Sequence, residues 1–230
     1  MNKNCGKLIV IEGLDGTGKA TQTKILLARL KKEKYEPVVF DFPQYHRFFG
    51  KLVATYLRGE FGQAHQVNPY FASMLYALDR WSISQKIKKS LEEGRIVLAN
   101  RYSTANFLHQ TGKIKNKFER IKFLKWLENL EFVFLGIPKP NLVIFLDLLP
   151  YFGKKLIKKK NQRNYLKGKK QDIHEKSISH LKDARNESKH LIKKYYWRKI
   201  ICFKGKKILT RQDIANKIWL NLEKYKIIKV

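Results

Sequence analysis

A glycine-rich loop near the start of the chain joins a short apolar segment to a helical one, and this arrangement limits the possible folds more than any other feature. Residues 7–12 form a short segment that is rich in β-branched residues and is closed by a glycine, which is typical of a buried strand. Gly13, Gly18 and Lys19 then match the pattern G-x-x-x-x-G-K. Residues 18–33 have the apolar spacing of an amphipathic helix. This order predicts a nucleotide phosphate site, with an ordinary strand-to-helix turn as the alternative.

Apolar strands alternate with helices along the rest of the chain. Because these strands are apolar throughout, both faces of their sheet should be covered by helices. We therefore predict one α/β domain over residues 1–230, with five parallel strands. Ligands of such sheets bind beyond the carboxyl ends of the strands, here after Glu12, Phe42, Ala99 and Asp147. The further strands are predicted at 37–42, 95–99, 141–147 and 199–203, and the further helices at 47–58, 69–93, 104–111, 117–131, 173–196 and 211–226.

The chain carries a large excess of positive charge. Its 49 lysine and arginine residues against 19 acidic residues give a formal net charge of +30. Most of the excess is lysine, whereas a dedicated reader of phosphates or bases would be expected to use more arginine. We therefore expect solvated basic faces and no specific nucleic-acid partner. Nonspecific binding to polyanions, or an evolved role on nucleic acid or anionic membranes, stays open as the alternative.

The composition also bears on location. No apolar run is long enough for a transmembrane helix, so membrane insertion is not expected. The N-terminal residues lack the pattern of a secretory signal. The two cysteines, Cys5 and Cys202, are too few for a disulfide framework and have no metal-ligand spacing. A reduced, cytoplasmic setting is expected.

Six motifs, spread over about residues 7–205, resemble those of the thymidylate kinase family and follow the family's order. The resemblance implies a three-layer P-loop NTPase fold with a lid at about residues 151–171, and it implies a homodimer formed through the long helices. It also implies a kinase that uses Mg²⁺ and transfers the γ-phosphoryl group of ATP to dTMP, giving dTDP and ADP for dTTP biosynthesis. The motifs are LIVIEGLDGTGK at 8–19, DFPQY at 41–45, LYALDRW at 75–81, NRYSTAN at 100–106, LGIPKP at 135–140 and DIHE at 172–175.

The resemblance places ATP on the glycine loop and under the lid. Lys19 is the expected catalytic cation at the outer phosphates. Arg163 is the only arginine of the lid and the second expected catalytic cation, although a solvated basic loop is the alternative. The expected ATP-binding residues are Gly13, Leu14, Asp15, Gly16, Thr17, Gly18, Lys19, Ala20 and Thr21, and the lid also holds Lys154, Lys155, Lys158, Lys159 and Lys160.

The acceptor nucleotide is expected at the ends of the second and third strands. Tyr76 and Arg80 are four residues apart and share one helix face, where a ring and a guanidinium suit a flat polar heterocycle. Arg101 would bind the acceptor phosphate and act in catalysis, and by resemblance Asp15 accepts a hydrogen bond from the sugar 3′-hydroxyl. Structural roles in the core, the loop or the helix surface are the alternatives. The expected dTMP-binding residues are Asp15, Phe42, Tyr45, Tyr76, Arg80, Arg101 and Asn106, with His109 and Gln110 as further candidates for the wall.

Two positions depart from the family's pattern on the metal side. Ala20 stands where a serine or threonine hydroxyl normally binds Mg²⁺, and Asn100 stands where the family usually has an aspartate. Asp15 and Glu175 remain as possible metal ligands, directly or through water. These departures leave open a degenerate nucleotide-binding paralogue with weak or no turnover. A uridylate or nucleoside acceptor is also open.

Overall fold

The computed structural model describes residues 6–158, 164–168, 172–176 and 178–228. Five strands form one parallel sheet in the order β2-β3-β1-β4-β5, so the predicted five-stranded parallel sheet is confirmed. An antiparallel pair of two-residue strands, β6 and β7, was not predicted. The strands are β1 Lys7–Gly13, β2 Val38–Asp41, β3 Ile96–Asn100, β4 Leu142–Asp147, β5 Arg198–Ile201, β6 Phe203–Lys204 and β7 Lys207–Ile208.

The helices follow the predicted order, apart from one correction and one further helix, at Pro150–Lys158, that was not predicted. The prediction of a single helix over residues 69–93 is wrong, because the chain forms two helices separated at Ser82 and Ile83. The hydroxyls of Ser82 and Ser84 donate to carbonyls three residues earlier, and such bonds compete with the helical pattern. The helices are α1 Lys19–Lys32, α2 Phe48–Leu57, α3 Pro69–Trp81, α4 Ser84–Glu92, α5 Ser103–His109, α6 Lys117–Glu128, α7 Pro150–Lys158, α8 Ile173–Lys176, α9 Ile178–Lys194 and α10 Arg211–Lys224.

The two faces of the sheet carry separate hydrophobic cores. Alternate residues of β1 point to opposite faces, so Leu8 and Val10 join one core while Ile9 and Ile11 join the other. The first core is completed by apolar residues of α5, α6 and α9, and the second by those of α1 and α10. This arrangement explains why the central strands β1, β3 and β4 are mostly apolar, whereas the edge strands β2 and β5 are partly exposed and carry charged residues. Within the described residues, no helix is long and apolar enough to cross a membrane.

The strand order sets the position of the site. Strand β1 lies in the middle of the sheet, with β3 on one side and β4 on the other. Asn100, at the end of β3, is in register with Ile11 of β1 and with Asp41 at the end of β2. The carboxyl ends of these three strands therefore meet at one edge, where ligands of open parallel sheets bind.

Candidate active site

One cavity of about 300 Å³ opens at this edge, a volume at the lower end of the range of small-molecule sites. It is lined by all seven residues that the sequence predicts for dTMP binding, and by Asp15, Gly16, Gly18, Lys19, Ala20 and Thr21 of the predicted ATP set. Gly13, Leu14 and Thr17 of that set do not line it. The structure thus brings the two predicted groups of residues to the same cavity, and their roles as ligands stay predictions.

The glycine loop leads directly into α1. Gly18 precedes the helix with a φ of 89°, in the left-handed region that favours glycine, and the first turn of α1 holds no acidic residue. The positive end of the helix is therefore available to an anion. The ammonium group of Lys19 donates to the carbonyls of Gly13 at 2.8 Å and Leu14 at 2.9 Å. These bonds hold the charge of Lys19 at the cavity wall.

Arg101 projects from the end of β3 and is surrounded by two carboxylates. Its backbone has a φ of 64°, which is uncommon outside glycine and recurs at functional sites. The guanidinium donates to the carboxylate of Asp15 and lies 3.9 Å from that of Glu12. Burial alone would lower the pKa of Arg101, but Asp15 and then Glu12 raise it above its usual value. Arg101 is therefore a fixed positive charge in the cavity.

Glu12 is a component of the site that the sequence reading missed. Its side chain is fully buried and accepts hydrogen bonds from the amide of Gly13 at 3.0 Å and the hydroxyl of Thr104 at 2.7 Å. It thereby ties the start of the glycine loop to α5. A charge directly after the apolar residues 8–11 of the strand was the available signal, because a buried carboxylate needs fixed partners.

Aromatic rings form another wall of the cavity. Tyr45 stacks on Tyr165 with ring centroids 4.0 Å apart, and the hydroxyl of Tyr165 donates to Asp172 at 3.2 Å. Phe42 and Tyr76 complete this wall. Tyr165 and Asp172 come from the lid region and the segment after it, which the sequence did not connect to the acceptor side.

Arg80 lines the cavity with a side chain that is 2% exposed. The guanidinium of Arg80 donates two hydrogen bonds to the carboxylate of Glu131, at 2.8 Å and 2.5 Å. The sequence reading did not single out Glu131. Glu131 itself is completely buried and is not one of the lining residues. Arg80 is thus held in one orientation by a buried ion pair.

Three buried histidines, from α5, α8 and α9, lie together beside Arg101. Ring nitrogens of His109, His174 and His180 are within 4.8 Å of one another, close enough to hold one metal ion. Burial lowers the pKa of all three, so the rings are neutral near pH 7. Because Arg101 can only donate, Nε2 of His109 accepts from it at 3.2 Å, and the proton of His109 sits on Nδ1, which faces Nε2 of His180 at 3.3 Å. This proton therefore lies between the rings of His109 and His180.

The metal side of the cavity holds Asp41 and Asn100. The amide nitrogen of Asn100 donates to the carboxylate of Asp41 at 2.6 Å, and Oδ1 of Asn100 is buried with no hydrogen-bond partner among the described residues. A carboxylate and an unpaired amide oxygen side by side are the oxygen donors that Mg²⁺ prefers. These two residues therefore fit the ion. Glu175, one of the two predicted metal ligands, is buried and does not line the cavity.

The lid prediction is only partly covered by the described residues. Helix α7 starts one residue before the predicted lid and continues into it, and a 3₁₀ turn at Asn164–Leu166 lies within it. Gly153 of α7 packs against Gly16 of the glycine loop. The amine of Lys155 lies over the ring of Tyr151 at 5.3 Å. Arg163, Lys159, Lys160 and the side chains of Lys154 and Lys158 lie outside the described residues.

Comparison with known proteins agrees with the geometry of the cavity. The family model described as thymidylate kinase matches residues 11–196. The chain belongs to the thymidylate kinase family. A thymidylate kinase from Plasmodium falciparum is 28% identical over 98% of this chain and 94% of its own. One from Exiguobacterium sp. is 30% identical over 74% of this chain and 77% of its own.

Two further similarities concern the extent of the match and the fold. The alignment with the thymidylate kinase from Schizosaccharomyces pombe is 32% identical and spans 64% of each chain, so the chain covers just under two thirds of that relative. The solved structure of the thymidylate kinase from Candida albicans matches with a TM-score of 0.72 and 23% identity, over 98% of this chain and 96% of that one. This likeness concerns the fold, which is the predicted P-loop NTPase fold.

Proposed function

We propose that this chain is a nucleoside monophosphate kinase that transfers the γ-phosphoryl group of ATP to dTMP and releases dTDP and ADP. The observation that carries the proposal is that one cavity is lined both by the glycine loop with Lys19 and by Tyr76, Arg80 and Arg101. Phosphoryl transfer depends mainly on holding two reactants in line and on neutralising the charge that develops. A shared cavity with two fixed cations supplies both requirements.

The acceptor contacts follow from the chemistry of the wall. Arg101 would hold the phosphate of dTMP, and Asp15 would accept a hydrogen bond from the sugar 3′-hydroxyl. The ring of Tyr76 offers a face for the base, and Arg80 offers N–H donors to its edge. Tyr45 and Phe42, on the same aromatic wall as Tyr76, would exclude water.

Mg²⁺ is proposed as the metal that accompanies ATP. When bound, it would neutralise charge on the transferring phosphates. Asp41 and Asn100 would hold it together with oxygens of the nucleotide, and Asp15 is the candidate from the sequence that also lines the cavity. Glu175 stays a prediction from resemblance.

A panel of acceptors tests the function. The rate of ADP formation from ATP is measured with dTMP, dUMP, dCMP and thymidine while Mg²⁺ and Mn²⁺ are titrated. We expect the highest kcat/KM with dTMP, and a loss of at least about 100-fold in Arg101→Ala but not in Arg95→Ala, which changes an arginine outside the cavity. A preference for dUMP or thymidine would replace the proposed acceptor. A rate at background with both metals would favour the degenerate paralogue.

We further propose that residues 1–230 act as one kinase domain in the cytoplasm and that two copies pair through long helices. Large apolar side chains of α2 and α3 support the pairing, because Phe48, Phe71, Met74 and Trp81 are exposed. Light scattering after size exclusion should give the mass of a dimer. A monomer at micromolar concentration would contradict the pairing.

A further inference from the structure

We propose that Glu131 determines which pyrimidine the acceptor site takes. It fixes Arg80 as a hydrogen-bond donor and Asn106 as an acceptor, so that the site selects bases with a 4-oxo group over bases with a 4-amino group. Glu131 acts through these two residues and is a positioning residue, since it does not line the cavity itself. The inference rests on the proposed function, because it concerns the acceptor of that reaction.

The orientation of Arg80 is set by both oxygens of Glu131. Nε of Arg80 donates to Oε2 at 2.8 Å, and Nη2 donates to Oε1 at 2.5 Å. Nη1 also reaches the carbonyl of Tyr102 at 3.4 Å. This two-point contact fixes the plane of the guanidinium, and its remaining N–H groups are the donors that it can offer to a ligand.

The orientation of the amide of Asn106 follows from the same carboxylate. Its Nδ2 donates to Oε1 of Glu131 at 3.1 Å and to the carbonyl of Ser73 at 3.0 Å. Both partners are oxygens that only accept, so rotating the amide by half a turn would place Oδ1 against two oxygens. Both N–H groups are therefore used within the protein. Oδ1 is the atom of Asn106 left to accept a hydrogen bond from a ligand in the cavity.

A fixed donor beside a fixed acceptor matches one type of pyrimidine edge. Thymine and uracil present an N3–H donor and an O4 acceptor, which complement Oδ1 of Asn106 and the guanidinium of Arg80. Cytosine presents an N3 acceptor and a 4-amino donor, so it would face acceptor with acceptor and donor with donor. A ligand that leaves buried polar groups of the site without hydrogen-bond partners binds much more weakly than one that pairs with them.

The substitution Glu131→Gln tests this role. The glutamine keeps the shape of the side chain but has an NH₂ group in place of one carboxylate oxygen. Either Arg80 then loses one hydrogen bond or the amide of Asn106 can rotate by half a turn. We expect the ratio of kcat/KM for dTMP to that for dCMP to fall by at least tenfold, mainly through a higher KM for dTMP. The matched control is Glu187→Gln, which removes the charge from another ion pair, a partly buried one with Arg120 at 2.9 Å, away from the cavity.

The outcomes separate the inference from the proposed function. An unmodified protein that does not phosphorylate dTMP would sink the proposed function. An active protein whose Glu131→Gln variant keeps its dTMP to dCMP ratio, or changes it no more than Glu187→Gln does, would overturn the inference alone.

A second measurement uses the unmodified protein and therefore does not depend on how the variants fold. Binding of dTMP and of N3-methyl dTMP is compared by calorimetry, since the methyl group removes the N3–H donor. We expect the methylated nucleotide to bind at least tenfold more weakly, because Oδ1 of Asn106 then faces a methyl group. Equal affinities would show that the amide does not present its oxygen, and would overturn the proposed orientation.

Discussion

Restoring the family's aspartate at Asn100 should destabilise the protein when no divalent metal is present. The amide nitrogen of Asn100 lies 2.6 Å from a carboxylate oxygen of Asp41, and the substitution Asn100→Asp replaces this donor with a second negative charge. Two unit charges at that distance repel by about 1.6 kcal/mol in water and by about 6 kcal/mol at an effective dielectric constant of 20. Because Asp41 is an exposed residue, the value should lie near the lower limit.

The lost hydrogen bond adds about 1 kcal/mol. We therefore expect the free energy of unfolding to fall by about 2 to 3 kcal/mol at pH 7.5 in EDTA, which corresponds to a Tm lower by roughly 5 to 10 °C for a chain of this size. Partial burial already raises the pKa of Asp41 above its ordinary value. The added charge should raise it further, so the deficit of the variant should shrink as the pH falls toward 4.5. Excess Mg²⁺ should also remove it.

Thermal unfolding with and without EDTA is the assay. Asn116→Asp is the control for the change in net charge, because Asn116 caps α6 by accepting from two backbone amides and an aspartate can do the same. An Asn100→Asp variant as stable as the unmodified protein at pH 7.5 in EDTA would refute the reasoning. So would a deficit that stays constant between pH 7.5 and pH 4.5.

Two further predictions concern stability. Burial lowers the pKa of His180 to about 4, so the unfolded state binds more protons than the folded state between pH 6.5 and 4. This ring therefore costs about 1.4 kcal/mol of stability for each pH unit of acidification in that range. The free energy of unfolding in urea should depend less on pH in His180→Gln than in the unmodified protein, and an equal pH dependence would contradict this. A Cβ on Gly16 would lie 2.3 Å from the carbonyl oxygen of Gly153, whereas one on Gly18 would meet no atom within 4 Å. Both glycines have positive φ, so Gly16→Ala should lower Tm more than Gly18→Ala, and the reverse order would count against the packing described.

The sequence was sufficient for the sheet and the loop because their signals are local. Strands buried on both faces are apolar throughout, and the glycine loop needs its glycines for backbone reasons, as at Gly18. The break in the helix over residues 69–93 was missed because Ser82 and Ile83 fit a helix, and the competing bonds form only through the serine hydroxyls.

The parts of the site that were missed depend on residues far apart in the sequence. Glu131 meets Arg80 across 51 positions, and nothing in the spacing of either residue indicates the pair. The three histidines come from three helices. By contrast, Tyr76 and Arg80 could be placed together because helical periodicity puts them on one face.

Binding of one bisubstrate molecule, with adenosine and thymidine joined through a phosphate chain, tests the central claim most directly. If one cavity holds the donor phosphates and the acceptor nucleotide, calorimetry should show one molecule bound per chain, and the bound molecule should prevent binding of both ATP and dTMP. If dTMP still binds with unchanged affinity when the bisubstrate molecule is present, the two nucleotides do not share this cavity and the account is wrong.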